Sequence, residues 1–211
     1  MNEPDIYREW PPSPAWRAVA CCWEQRVGSE RVQRVVLDGH ADVLIYDSGA
    51  IDVVGLHDRV TLPLLPARTR IRGIRLRPAA VATAFRMPAS ALRNETVSAD
   101  AVLGAQTARL LQDPARLDAW LREVEPDERV ERAVRLLESR PVAATADALG
   151  ITERHLRRLL LEHTGLAPKT LQRVQRFQRF VRAADSGSAL ARPRPTPATP
   201  TSPTCPETCS T

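Results

Sequence analysis

The sequence of 211 residues lacks the residue spacings on which most catalytic and metal sites depend. It contains no His-x-His, His-Glu-x-x-His or Cys-x-x-Cys, no serine in a nucleophile elbow and no glycine-rich phosphate loop. We therefore predict that the protein is not an enzyme and that it uses no metal and no cofactor.

Cysteine and long apolar runs are also scarce. The four cysteines form two pairs, Cys21 with Cys22 and Cys205 with Cys209, whose spacings fit neither a disulfide scaffold nor a zinc finger, so we expect reduced thiols. No segment has the apolar length needed to span a bilayer, and the N-terminus has no charged leader followed by an apolar run. We expect a cytoplasmic protein that has no contact with a membrane.

One group of side chains leaves an alternative open. The adjacent cysteines and several nearby side chains have ligand-type atoms that a small barrel could bring together around a metal: His40, His57, Asp38, Asp42, Asp52 and Asp58. The interpretation we favour is structural. Residues 38–40 would form a turn whose polar side chains bond the local backbone, and one cysteine of the pair would be a small core residue.

What the sequence does contain is a helix-turn-helix pattern in residues 145–165, TADALGITERHLRRLLLEHTG. The small side chain of Ala146 fits where two helices cross, and Gly150, four residues later, suits the positive φ of a tight turn between them. Thr152 is the predicted N-cap of the second helix. The apolar positions that would hold the two helices together are Leu149, Ile151, Leu156 and Leu159.

The predicted second helix is basic on its outer face. A period of 3.6 residues turns three leucines inward, namely Leu156, Leu159 and Leu160. It leaves on or near the outer face Arg154, Arg157, Arg158 and Leu161. Exposed guanidinium groups on a helix suit guanine edges and phosphates. The alternative is that these arginines are only the solvated side of an amphipathic helix in a bundle.

Two more helices flank this segment. Residues 127–140, DERVERAVRLLESR, place apolar side chains on one face at helical spacing, and Pro141 ends that helix. Residues 166–185, LAPKTLQRVQRFQRFVRAAD, repeat apolar positions in the same way, with Pro168 in the first turn. The basic residues of this last helix are Lys169, Arg173, Arg176, Arg179 and Arg182.

The stretch LGITERHLRRLLLEHTGLAPKTLQRVQRFQR resembles the first helix-turn-helix and the linker helix of AraC/XylS-type bacterial transcription regulators. The similarity lies in the GI-T-x-x-x-L-x-R-x-L core and in the G-L-x-P-K step that follows it. The resemblance implies an all-α domain that binds double-stranded DNA, with the recognition helix in the major groove. Carried over to this chain, it implies a DNA-binding set of Thr152, Arg154, His155, Arg157 and Arg158, to which we add Lys169, Arg173 and Arg176 of the linker helix.

The sequence departs from that pattern in two places. Thr145 stands where the motif usually has a larger apolar residue, and nothing after Asp185 resembles the second helix-turn-helix of the family. Residues 193–211 instead contain six prolines and six threonines, which favour a disordered or polyproline-like tail. A second interpretation of this tail is a frameshift in a GC-rich gene, because a shifted frame from Pro193 onward can encode a helix-turn-helix-like segment. The nucleotide sequence of codons 185–211 decides between the two.

The distribution of charge favours two domains. Residues 1–126 contain 16 Lys+Arg and 16 Asp+Glu, whereas residues 127–192 contain 13 and 8, so the excess positive charge lies in the second part. We predict a sensor-like or dimerisation-like α+β domain in residues 1–125, an AraC-type helix-turn-helix domain in residues 126–185 and the tail in residues 186–211.

The first domain is predicted to be a small β-barrel or sheet with helices. Six segments have the β-branched composition or alternation of strands: VACCWEQRV, RVVLDG, DVLIYDSG, IDVVG, RVTLPLLP and RIRGIRLRP. Residues 47–49 are a predicted hairpin turn, and helices are predicted after Pro78 and over residues 99–112 and 114–124. This part resembles a poorly characterised N-terminal domain found upstream of AraC-type motifs, which implies a sensor or dimerisation role and no particular ligand.

Taken together, the patterns predict a truncated transcriptional regulator that binds specific DNA, weakly as a monomer. Such a regulator could bind a small-molecule effector in its N-terminal domain, and it could form a homodimer. The alternative is a small-molecule-binding or metal-binding protein whose helical half makes protein contacts only. The surroundings of the arginines on the predicted recognition helix distinguish the two, because arginines paired with Glu153, Glu162 or the first domain would favour protein contacts.

Overall fold

Eight strands and eight helices make up residues 4–185, the part of the chain that this computed structural model describes. The strands are β1 (Ile6–Trp10), β2 (Val19–Arg26), β3 (Arg31–Val32), β4 (Ala41–Tyr46), β5 (Ile51–Val54), β6 (Leu64–Leu65), β7 (Arg70–Leu76) and β8 (Thr96–Ser98). The helices are α1 (Val81–Phe85), α2 (Ala99–Leu103), α3 (Ala105–Leu110), α4 (Pro114–Glu123), α5 (Glu128–Leu137), α6 (Val142–Ala148), α7 (Glu153–Thr164) and α8 (Pro168–Asp185). Two 3-10 helices, Pro78–Ala80 and Ala89–Leu92, flank α1.

Six of the strands form one antiparallel sheet in the order β1-β2-β7-β4-β5-β8. In β4 the side chains alternate as the sequence predicts, with Ala41, Val43 and Ile45 buried. The turn predicted at residues 47–49 is confirmed: Gly49 has a φ of +85°, and its N–H donates to the Tyr46 carbonyl at 2.9 Å. An α+β fold with a helical C-terminal half is therefore correct.

The sequence predicts either a small β-barrel or a sheet, and for the described residues the barrel is wrong. Strand β1 pairs only with β2 and strand β8 pairs only with β5, so the two edges of the sheet do not meet. The remaining strands, β3 and β6, pair with each other in a separate two-stranded sheet. The result is an open sheet with a small ribbon beside it.

Several predicted elements differ in extent. The strands predicted at residues 34–39 and 59–66 are much shorter in the structure. Only an isolated bridge between Val35 and Thr61 and the two-residue strand β6 form there. The single helix predicted over residues 99–112 is two helices, because Gly104 has a φ of +81° and interrupts the backbone between α2 and α3. Helices α4, α5 and α8 lie where the sequence predicts them.

Buried side chains from both halves of the chain belong to one hydrophobic core. Helix α7 contacts α1 and both 3-10 helices, and α5 contacts the 3-10 helix Pro78–Ala80. A backbone hydrogen bond joins the halves as well: the Asp127 N–H donates to the Ala79 carbonyl at 3.0 Å. The boundary near residue 126 stays a prediction, and separating the halves there would expose apolar surface to water.

A membrane-spanning helix is not found among residues 4–185, since none of their helices is both long enough and apolar enough for one.

Candidate nucleic-acid interface

Helices α6 and α7 are joined by a four-residue turn, as the spacing predicts. Gly150 in this turn has a φ of +65°, and a Cβ placed there would meet no atom within 4 Å. Glycine is therefore required by its backbone conformation and not by crowding. The turn is closed by two backbone hydrogen bonds, from the Gly150 N–H to the Asp147 carbonyl at 3.0 Å and from the Ile151 N–H to the Ala146 carbonyl at 3.1 Å.

The start of α7 is capped as predicted. The Thr152 hydroxyl accepts a hydrogen bond from the His155 N–H at 3.2 Å, which satisfies one of the free donors of the first turn. Glu153 adds an acidic side chain at this positive end of the helix. These local interactions fix where α7 begins, and so they fix which of its residues face outward.

The apolar positions named from the sequence hold this helix pair against the core. Ala146 and Leu156 are fully buried, while Leu149, Ile151 and Leu159 are partly buried and pack against the core. Thr145, at a position where the helix-turn-helix pattern that the sequence resembles has a larger apolar residue, is also buried, and its hydroxyl donates to the Pro141 carbonyl at 3.0 Å. This hydrogen bond satisfies the polar group, so the departure at Thr145 leaves no buried donor without a partner.

The arginines of α7 lie on the outside. Arg154, Arg157 and Arg158 are exposed, and among the residues that the structure describes none of them forms an ion pair. Neither Glu153 nor Glu162 is paired with them, although both lie on the same helix. The three guanidinium groups are therefore available to an external anion.

Sequence reasoning missed one side of this surface. Segment 88–90 of the first half lies beside α7 and, with the arginines, lines an open groove of about 370 Å³. Its full lining is Pro88, Ser90, Arg154, Arg157, Arg158, Leu161 and Glu162. The spacing of residues in the sequence could not predict that segment 88–90 lies beside α7, because more than sixty residues separate the two.

The neighbour is held in place by close backbone packing at the end of α7. Gly165 ends the helix with a φ of +74°, and a Cβ placed there would lie 2.8 Å from the Ala89 carbonyl oxygen. Contact this tight leaves no room for a side chain. The position of the arginine-bearing helix therefore depends on the first half of the chain.

Helix α8 is attached to both halves through its polar side chains. The Gln178 amide donates to the Leu37 carbonyl, and the Gln175 amide donates to the Val134 carbonyl at 2.9 Å. Arg173, predicted to face DNA, is exposed but donates to the Asp58 carbonyl at 3.3 Å. The other two predicted DNA contacts of this helix, Lys169 and Arg176, are exposed and have no ion pair among the described residues.

The group considered as a metal site is arranged differently. The His40 N–H donates to an Asp38 carboxylate oxygen at 3.0 Å, and the His40 Nδ1 lies 2.9 Å from the Asp38 carbonyl, which confirms the predicted turn. Burial lowers the pKa of His40 below its usual range. Within residues 4–185, no three His, Cys, Asp or Glu side chains are placed to hold a metal ion together.

Asp42 and Arg75 form a half-buried ion pair on the sheet. The Arg75 Nε lies 3.3 Å from an Asp42 carboxylate oxygen, which also accepts a hydrogen bond from the Trp23 indole at 2.8 Å. Burial raises the pKa of Asp42 to about 6, although Arg75 opposes this shift. The Arg75 Nε also lies 3.1 Å from an Asp38 carboxylate oxygen, so carboxylates of the protein itself balance the charge of this arginine.

A second cavity, of about 310 Å³, lies where the halves meet, between Trp16, Arg17, Arg77 and Pro126. Arg17 is 3.0 Å from Glu125 and Arg77 is 3.4 Å from Glu131, so its positive charges are already balanced.

Comparison with known proteins covers part of the chain. Residues 8–98 are similar to a family described as a domain of unknown function, DUF6597. This match runs from β1 to β8 and ends before the helical half. No curated protein and no solved structure matched the sequence.

Proposed function

We propose that this chain is a sequence-specific DNA-binding transcriptional regulator of the AraC/XylS type. In this proposal α6 and α7 are a helix-turn-helix, and α7 is the recognition helix. One observation supports it above all: three exposed arginines without ion partners in the described residues follow a capped, glycine-containing turn. A solvated bundle helix with Glu153 and Glu162 close by would be expected to pair some of these arginines with carboxylates.

The chemistry of the three side chains fits a duplex. A guanidinium group can donate two parallel hydrogen bonds to the O6 and N7 atoms of guanine, and it can also bind phosphate. Arg157 and Arg158, in the middle of α7, would read bases, while Arg154 near the start would contact bases or the adjacent phosphates. Thr152 and His155 would lie at the phosphate backbone at the N-terminal end of the helix.

The contribution of α8 is expected to be unequal. Lys169 and Arg176 have no ion partner in the described residues and would bind phosphates regardless of sequence. The guanidinium of Arg173 already donates to the Asp58 carbonyl, so its substitution should weaken DNA binding less. This revises the expectation that Arg173 is a free phosphate contact.

Residues 4–185 provide one such helix pair, so a single copy would contact one major-groove segment. Binding by a monomer should be weak and strongly dependent on salt. The first half would act as a sensor or dimerisation domain. It would not bind double-stranded DNA, and it could bind a small-molecule effector.

Binding of labelled random-sequence duplex in a salt series tests the proposal. Combined replacement of Arg154, Arg157 and Arg158 by alanine should abolish binding, and Lys169→Ala or Arg176→Ala should lower the slope of log K against log salt by about one. The matched control is Arg116→Ala on α4, which removes an exposed arginine that forms no ion pair within residues 4–185. A triple variant that binds like the wild type would refute the assignment of α7.

A further inference from the structure

Leu161 is the leucine of α7 that the hydrophobic core does not use. Leu156 and Leu160 are fully buried in the core, and Leu159 packs against it. Leu161 is only partly buried, and it is not among the side chains of residues 4–185 that pack against this core. Packing of the core therefore does not require an apolar side chain at this position.

The side chain of Leu161 lies on the same side of α7 as the arginines. It follows Arg157 and Arg158 by four and three residues, a spacing that places side chains on one face of a helix. The groove beside α7 is lined by Leu161 together with all three arginines. Pro88, from the first half of the chain, adds a second apolar side chain to the same groove. The groove therefore offers guanidinium groups and apolar surface side by side.

The part of the groove near Leu161 is poorly suited to a phosphate. Glu162 also lines the groove, is exposed and forms no ion pair within residues 4–185. Its carboxylate repels a phosphate, and the leucine side chain has no hydrogen bond to donate to one.

The edge of a base pair in the major groove suits this part of the groove better. A base edge has no net charge, so Glu162 does not repel it as it repels a phosphate. Thymine is the only one of the four bases that presents a methyl group in the major groove, and this methyl group is recognised by apolar side chains. An apolar side chain next to free guanidinium groups therefore matches a thymine close to a guanine.

We propose that Leu161 reads a thymine through its 5-methyl group, beside a guanine bound by Arg157 or Arg158. This inference rests on the proposed DNA binding and deepens it, because it names a base that the arginines alone do not specify. Leu161 lies about 6 Å along the helix axis from Arg157, and base pairs are about 3.4 Å apart. A helix that follows the groove therefore places the thymine one or two base pairs from that guanine.

Replacing thymine by uracil in the bound duplex tests this contact on the wild-type protein. Selection from random-sequence duplexes first gives the preferred motif, and each thymine of the motif is then replaced in turn by uracil, which lacks only the 5-methyl group. One replacement within two base pairs of the guanine should weaken binding about fourfold, because one methyl group is no longer removed from water. This result does not depend on the folding of any variant.

Leu161→Ala tests whether Leu161 is the side chain that contacts this methyl group. The variant should bind the thymine and uracil duplexes equally, whereas the wild type should prefer thymine about fourfold. The matched control is Leu110→Ala, which removes an exposed leucine from α3 and should keep the wild-type preference. A role of Leu161 in stability alone would weaken binding to both duplexes alike and leave the preference unchanged, which would overturn the proposal.

Failure of this inference is distinguishable from failure of the proposed function. A motif that contains no thymine, or that tolerates uracil at every thymine, would overturn reading by Leu161 and leave DNA binding by the arginines in place. A wild-type chain that selects no motif at all would overturn both.

Discussion

Alanine at Gly165 should destabilise the protein more than alanine at Gly150, and the difference measures how tightly α7 is held by the first half. Both glycines have positive φ, +65° at Gly150 and +74° at Gly165. An alanine in this conformation costs about 1–2 kcal/mol of strain in either place. At Gly150 nothing lies within 4 Å of the added Cβ, so strain is the whole effect.

At Gly165 the added Cβ would also lie 2.8 Å from the Ala89 carbonyl oxygen and 3.1 Å from its carbon. These are backbone atoms, which cannot rotate away as a side chain could. Forcing such a contact typically costs a further ~1–3 kcal/mol, so Gly165→Ala should exceed Gly150→Ala by about that amount.

Urea denaturation followed by far-ultraviolet circular dichroism gives both free energies of unfolding. Gly150→Ala is the matched control, because it makes the same substitution with the same backbone strain and no close neighbour. Equal destabilisation by the two variants would refute the packing of the end of α7 on residues 88–90.

Two further predictions concern stability. Burial raises the pKa of Asp42 to about 6, so its ionised form destabilises the fold at neutral pH, whereas below about pH 3 the carboxyl is protonated in both the folded and the unfolded state and this cost is absent. Asp42→Asn should therefore stabilise the protein by about 2–3 kcal/mol at pH 8 and have almost no effect near pH 3, and urea denaturation giving the same difference at both pH values would contradict this. Thr152→Ala should cost about 1 kcal/mol because α7 loses its cap, whereas Thr152→Ser, which keeps the hydroxyl, should melt close to the wild type.

Features fixed by local chemistry could be predicted from the sequence. The positive φ at Gly150, the cap at Thr152 and the hairpin turn at residues 47–49 depend on residues within a few positions of one another. Helices α5 and α8 follow from a clear one-sided apolar period. The β-branched composition or alternation of their segments likewise predicted strands β2, β4, β5 and β7.

Features that depend on distant residues could not be predicted. Strand β1 is exposed along nearly its whole length, so it has no buried alternation to reveal it, and β8 is only three residues long. The open edges of the sheet follow from pairings that the sequence pattern does not specify. The hydrogen bond from Arg173 to the Asp58 carbonyl and the approach of Pro88 to α7 join segments far apart in the chain.

Selection from a pool of random-sequence duplexes tests sequence-specific DNA binding most directly. The purified wild-type chain should enrich one base motif, Arg157→Ala should lose preference at one position of that motif at a cost of about 1–3 kcal/mol, and Arg116→Ala should enrich the motif unchanged. Enrichment of no motif by the wild type would contradict the account and favour a helical half that makes protein contacts only. An unchanged motif with Arg157→Ala would contradict the role given to α7.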